Sequence, residues 1–83
     1  MPTHHGVGDV VQATVERVVV FGVYLRSGDA TILVLAVETA DTPNQCREKM
    51  ASLAVGQVET VTIQRFVEDD GVFVGSMKTF GIA

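Results

Sequence analysis

The chain is short of most groups that catalysis uses. It has 83 residues, one cysteine and two histidines. The histidines, His4 and His5, are neighbours in the leading MPTHHG, so the body of the chain has no imidazole. Cys46 therefore lacks the base that a cysteine nucleophile needs. A lone cysteine excludes an intramolecular disulfide and gives no sign of an oxidising compartment. Zinc sites take about four ligands at motif spacing, which two adjacent histidines and one distant cysteine do not supply. The eight glycines are scattered at turns and strand ends, and none builds a phosphate loop. Asp69 and Asp70 stand together at a turn, where turn chemistry explains them. The expectation is a protein that is not an enzyme and holds no metal or cofactor.

Long apolar runs are absent too. The longest stretches, VVVFGVYL and ATILVLAV, fall far short of the ~18 residues of a membrane helix. The polar start shows no apolar signal segment. A soluble cytoplasmic protein with no membrane partner is the expectation. Basic residues are scarce, six Lys and Arg against ten Asp and Glu, for a net charge of -4. Nucleic-acid binders are usually basic, because neutralising phosphates supplies much of their affinity. That balance argues against a strong nucleic-acid partner and leaves room for a weak, local site.

What the chain does have is valine in alternating patterns. At 47% hydrophobic and 19% charged it is globular. Its length allows one domain, with residues 1–6 as a flexible tail and 7–80 as the folded unit. In DVVQATVERVVV, Val11, Ala13 and Val15 share one face, with Gln12, Thr14 and Glu16 on the other, which predicts a half-buried strand. A second strand runs from Gly22 to Arg26 and closes at Ser27-Gly28-Asp29. ATILVLAVE predicts a third strand, apolar on both faces. DTPN breaks the pattern, and Asp41 or Thr42 can cap a short helix with Pro43 at its first position. Met50 and Leu53 are its candidate anchors. GQVETVTIQRFV and GVFVGSMK predict the fourth and fifth strands, joined by a two-residue hairpin at Asp70-Gly71. Alternation places Arg65 with Val61 and Ile63, on the core side. Five strands with a short helix or turn-rich connector between the third and fourth fit an all-β, five-stranded Greek-key OB-fold barrel.

In the run VFGVYLRSG, Phe21 and Tyr24 are two of only five aromatics. Three positions apart on a flat strand, they would point to opposite faces. Gly22 between them is a candidate bulge. On the residues alone, Phe21 as core and Tyr24 as rim is an equal reading.

From Gly8 to Lys78 the sequence resembles an S1-like RNA-binding domain, a branch of the OB folds. GDVVQATVERVVVFGVYLRSG is similar to the family's opening, with its aromatic-Gly-aliphatic-aromatic second strand. LVLAVE stands where the family carries leucine, valine, histidine, isoleucine, serine and glutamate. LAVGQVETVTIQRFVEDDGVFVGSMK is similar to the closing half. The resemblance implies that Phe21 and Tyr24 lie together as stacking platforms on a nucleic-acid face, with the break in alternation at Gly22. It also implies that Leu35 replaces the family's binding-face histidine and Val72 a basic residue. Arg26 and Lys78 remain near the expected phosphates, with Arg17 and Arg65 as further cations. The implied function is weak single-stranded RNA binding by Phe21, Tyr24, Arg26, Leu35 and Lys78, as an accessory or regulatory module. The alternative is a protein-interaction or self-association module using Leu33 and Leu35 as an apolar face. A third arrangement has the connector of residues 39–55 folding over that face and burying it.

Overall fold

The alternation of Val11, Ala13 and Val15 carries directly into β1 (Val10–Val19), where Ala13 and Val15 are buried and Val11 packs at the core's edge. The computed structural model describes residues 6–78. After β1 come β2 (Gly22–Ser27), β3 (Ala30–Leu35), a 3₁₀ turn (Ala36–Glu38), α1 (Pro43–Ser52), β4 (Val58–Val67) and β5 (Val72–Ser76). The strands close into a barrel in the order β1-β2-β3-β5-β4, so no sheet edge is left open. Every pairing is antiparallel except β3 with β5. This is the five-stranded OB architecture expected from the sequence. The predicted flexible tail, apart from Gly6, lies outside the described residues, and so do His4 and His5.

The interior is filled by inward positions from four of the strands. Val15, Val23, Leu25, Ile32, Val34, Val61 and Ile63 are all buried. Each such side chain contributes about 1.5–3 kcal/mol by leaving water. Leu53, just past α1, joins this cluster, and Met50 packs against it. Both predicted anchors of the connector therefore serve as anchors. Thr42 is the cap of α1: its Oγ1 accepts the Gln45 N–H at 3.2 Å, and Pro43 takes the first helical position. The Cys46 thiol faces back to the 3₁₀ turn and donates to the Val37 and Ala40 carbonyls at 3.5 and 3.4 Å.

The third strand is shorter than its apolar run suggests. It ends at Leu35, and Ala36–Glu38 wind into the 3₁₀ turn. The Thr39 side chain closes that turn by donating to the Ala36 carbonyl at 2.7 Å. The Met77 N–H then takes the Glu38 carbonyl at 2.8 Å, tying the turn to the end of β5. The β4–β5 loop is also longer than the expected two residues. It runs over 68–71 and is closed by the Gly71 N–H on the Val67 carbonyl at 2.9 Å, with Gly71 at a φ of 65° that favours glycine.

Two irregularities set which side chains face outward. In β1, Val15 pairs with Leu25 but Arg17 pairs with Tyr24, so Glu16 is an extra residue. In β4, Ile63 pairs with Gly75 but Arg65 pairs with Val74, so Gln64 is extra. Each is a β-bulge, which inverts the alternation that follows it. The break expected at Gly22 therefore lies elsewhere. Gly22 begins β2 in regular pairing with Val19 and Leu35. Arg65 is likewise corrected: the Gln64 bulge turns it away from Val61 and Ile63, onto the outer surface beside Val74.

Candidate nucleic-acid interface

The outer wall of β2 and β3 can be read from their ladder. Val23, Leu25, Ile32 and Val34 face the core. The intervening positions face out, and the ladder pairs Tyr24 with Leu33, Arg26 with Thr31 and Gly22 with Leu35. Apolarity on both faces of β3 thus has a simple cause: Ile32 and Val34 fill the barrel while Leu33 and Leu35 line its outside. The connector does not cover this wall. Leu35 stays 36% exposed, and α1 packs on the 3₁₀ turn instead.

Phe21 is not a strand residue. It sits with Val20 in the tight turn from β1 to β2, between the paired Val19 and Gly22. A turn position is free of strand alternation, so its ring can swing toward Tyr24. The ring centroids are 6.2 Å apart with planes at 88°, an edge-to-face contact. The rings do share a side, but the hairpin turn brings them there rather than a bulge at Gly22. Phe21 is about half exposed, so it is no core residue. The Arg17 guanidinium lies over the Tyr24 ring, 4.8 Å from its centroid, within cation–π range. Glu16, Arg17, Tyr24 and Thr31 line an open groove of about 410 Å³ on this wall. A second cavity of about 390 Å³, lined by Ala36, Val37, Cys46, Met50 and neighbours, lies beside α1 and contains no aromatic ring.

The cations expected at the site are both engaged. Arg26 Nε donates to Glu16 Oε2 at 2.8 Å. That hydrogen bond and the Glu16 charge push the Arg26 guanidinium above its ordinary value. Lys78 Nζ stands 3.6 Å from Glu38 Oε2, while Gln64 Nε2 donates to the other oxygen of Glu38 at 3.4 Å. Each bulged residue thus holds one predicted phosphate ligand, Glu16 directly and Gln64 through Glu38. Lys49 is paired with Glu59 at 2.6 Å. Among the described residues, Arg17, Arg47 and Arg65 have no carboxylate within ion-pair distance. Sequence reasoning noted Arg17 and Arg65 but gave neither a place at the site. The signal for them is the pair of bulges, which leave no glycine or proline marker in the sequence.

A second aromatic pair, Phe66 and Phe73, faces across β4 and β5 with centroids 4.7 Å apart. Phe73 packs on the core and Phe66 is half exposed, so this pair closes one end of the barrel. No helix among the described residues is long and apolar enough to cross a membrane.

No family model matches this chain, and no curated protein matches it in sequence. Its structure does resemble solved ones. GSP13 from Bacillus subtilis matches with a TM-score of 0.77 at 21% identity, over 100% of this chain and 63% of GSP13. The intact alpha subunit of aIF2 from Pyrococcus abyssi matches with a TM-score of 0.76 at 21% identity, over 99% of this chain and 32% of that one. A chain of the a/eIF2alpha–aDim2p–rRNA complex from Pyrococcus horikoshii matches with a TM-score of 0.75 at 22% identity, over 92% of this chain and 46% of that one. This chain thus spans less than two thirds of each of these three. At such identities the likeness is one of fold.

Proposed function

We propose that this barrel, which has the S1-like OB fold, binds single-stranded RNA weakly through its outer wall, as an accessory or regulatory module. The observation that carries this reading is the Phe21–Tyr24 pair, edge-to-face at 6.2 Å, with Arg17 above the Tyr24 ring. Aromatic rings beside a guanidinium suit an unpaired base, which offers a π-face whatever its identity. Leu33 and Leu35 extend the same wall as apolar support. A structural neighbour in a complex that contains rRNA supports RNA as the nucleic acid. The net charge of -4 and the ion pairs on Arg26 and Lys78 make stacking the main source of affinity, hence weak binding.

An amide-shift NMR titration with a short mixed-sequence RNA at low salt tests this. Shifts are expected on residues 21–26 and 33–35, reversed by added salt. No shift at millimolar RNA overturns the reading.

One observation favours a protein partner instead. Val20 is 97% exposed and Val37 67%, and both flank Phe21 and Leu35 where the Ala36 N–H meets the Phe21 carbonyl at 2.9 Å. Contiguous exposed apolar surface commonly marks a protein contact. In that reading Leu33 and Leu35 meet a second copy or another protein. Sedimentation would then show a concentration-dependent dimer that Leu35→Glu breaks. A monomer at millimolar concentration rules out self-association.

A further inference from the structure

The pairing registers place five residues in one row across the barrel wall. Arg17 of β1 pairs with Tyr24 of β2. Tyr24 pairs with Leu33 of β3, Leu33 with Val74 of β5, and Val74 with Arg65 of β4. Paired residues share a face, so all five belong to the outside. The core confirms the assignment from the other side. Their chain neighbours Val23, Leu25, Ile32 and Val34 belong to the core cluster and Phe73 packs against it, while Val74, though buried, is not part of it. The row's middle is apolar and aromatic, and each end is an arginine. Four steps between strands at about 4.8 Å make about 19 Å of wall between those ends.

The arginines at the ends are two of the three described cations without a carboxylate partner. The third, Arg47, stands on α1 beside the other cavity. Both end arginines are on the wall only because a bulge precedes them. Past Arg65 the β4–β5 loop carries Glu68, Asp69 and Asp70, whose charge repels phosphate and ends the favourable track there.

We propose that a bound strand crosses the wall from Arg17 over Tyr24 and Leu33 to Arg65, with Arg17 and Arg65 each neutralising one phosphate and Arg26 and Lys78 neutralising none. This assignment rests on the RNA reading above and adds its path and its charged contacts. A base lies on Tyr24 and Leu33 at the centre, and the backbone meets a guanidinium at either end. Guanidinium groups suit phosphate, because their fixed fork of donors matches its oxygens.

Salt dependence tests the count. For single strands the slope of log affinity against log salt is about -0.7 per phosphate neutralised. Two contacts give about -1.4, or roughly a 25-fold loss for a tenfold rise in salt. Anisotropy of a labelled eight-nucleotide oligouridylate reads this for the whole chain. Arg17→Gln and Arg65→Gln should each bring the slope to about -0.7, and the double variant should bind with almost no salt dependence. Arg17→Lys and Arg65→Lys should keep the original slope, which separates charge from stacking on Tyr24. Arg26→Gln and Lys78→Gln should leave it unchanged. If the unaltered protein binds but Arg65→Gln keeps its slope, or Arg26→Gln loses it, the row is wrong while the RNA reading stands. If the unaltered protein does not bind the oligonucleotide at all, both fall.

Discussion

Gly22 faces Leu35 across the β2–β3 ladder, where the strands run so close that a Cβ on residue 22 would fall on the Val34 carbonyl oxygen. The glycine is therefore a point of close approach, and the obstacle is backbone, which cannot swing aside as a flexible side chain can. Gly22→Ala should destabilise the barrel by about 1–3 kcal/mol, the usual cost of overpacking. Urea denaturation reads this directly, and an unchanged midpoint would contradict the close approach. Because the same turn carries Phe21, the variant should also disturb the aromatic pair.

Phe21→Ala and Tyr24→Ala should each weaken oligonucleotide binding by about 1–3 kcal/mol if each ring carries a base. Tyr24 points away from the core cluster and Phe21 is half exposed, so both variants should keep the fold. Tyr24→Phe preserves the ring and should bind nearly as the parent does. Equal affinities across the whole series would rule out stacking.

The Glu59 carboxyl should make stability depend on pH. Burial pushes it up, but hydrogen bonds from Lys49 Nζ and Gln57 Nε2, both at 2.6 Å, outweigh burial and hold it below its ordinary 4.5. A depressed carboxyl contributes stability that is present above the unfolded value and is lost as pH falls through the folded one. Unfolding free energy should therefore drop below pH 4.5. Glu59→Gln should cost about 1 kcal/mol at pH 7 and flatten that part of the acid limb. Denaturation curves at pH 7 and pH 3 check it, and identical acid sensitivity in the variant would remove Glu59 as the cause.

Thr42→Ala should lower stability by about 0.5–2 kcal/mol through loss of the helix cap. The consequence extends beyond α1, because Met50 and Leu53 at its far end help fill the barrel. Thermal unfolding reads the loss, and Thr42→Ser, which retains the hydroxyl, should restore most of it.

Much of the fold was legible because its signals are local. Alternating valines marked β1 and β4, and Thr42-Pro43 marked the start of α1 to the residue. The aromatic pair was legible as a pair, though its cause was not: a two-residue hairpin turn does the work assigned to Gly22. What escaped was non-local. Nothing in VERV or IQRF announces an extra residue at Glu16 or Gln64, since a bulge is defined by the partner strand's count. The engagement of Arg26 and Lys78 escaped for the same reason, because Glu16 and Glu38 lie 10 and 40 positions away in sequence and meet them only when the barrel closes.

The bulges give the outer wall the logic of a reading frame. Downstream of Glu16 and Gln64, whether a side chain meets water or the interior depends on a count of residues, not on its chemistry. Deleting Gln64 alone would remove the bulge, leaving Ile63 opposite Gly75 and Arg65 opposite Val74, still outward. Loss of that codon would thus leave the charged row intact, whereas a further inserted residue that the bulge did not absorb would turn Arg65 inward.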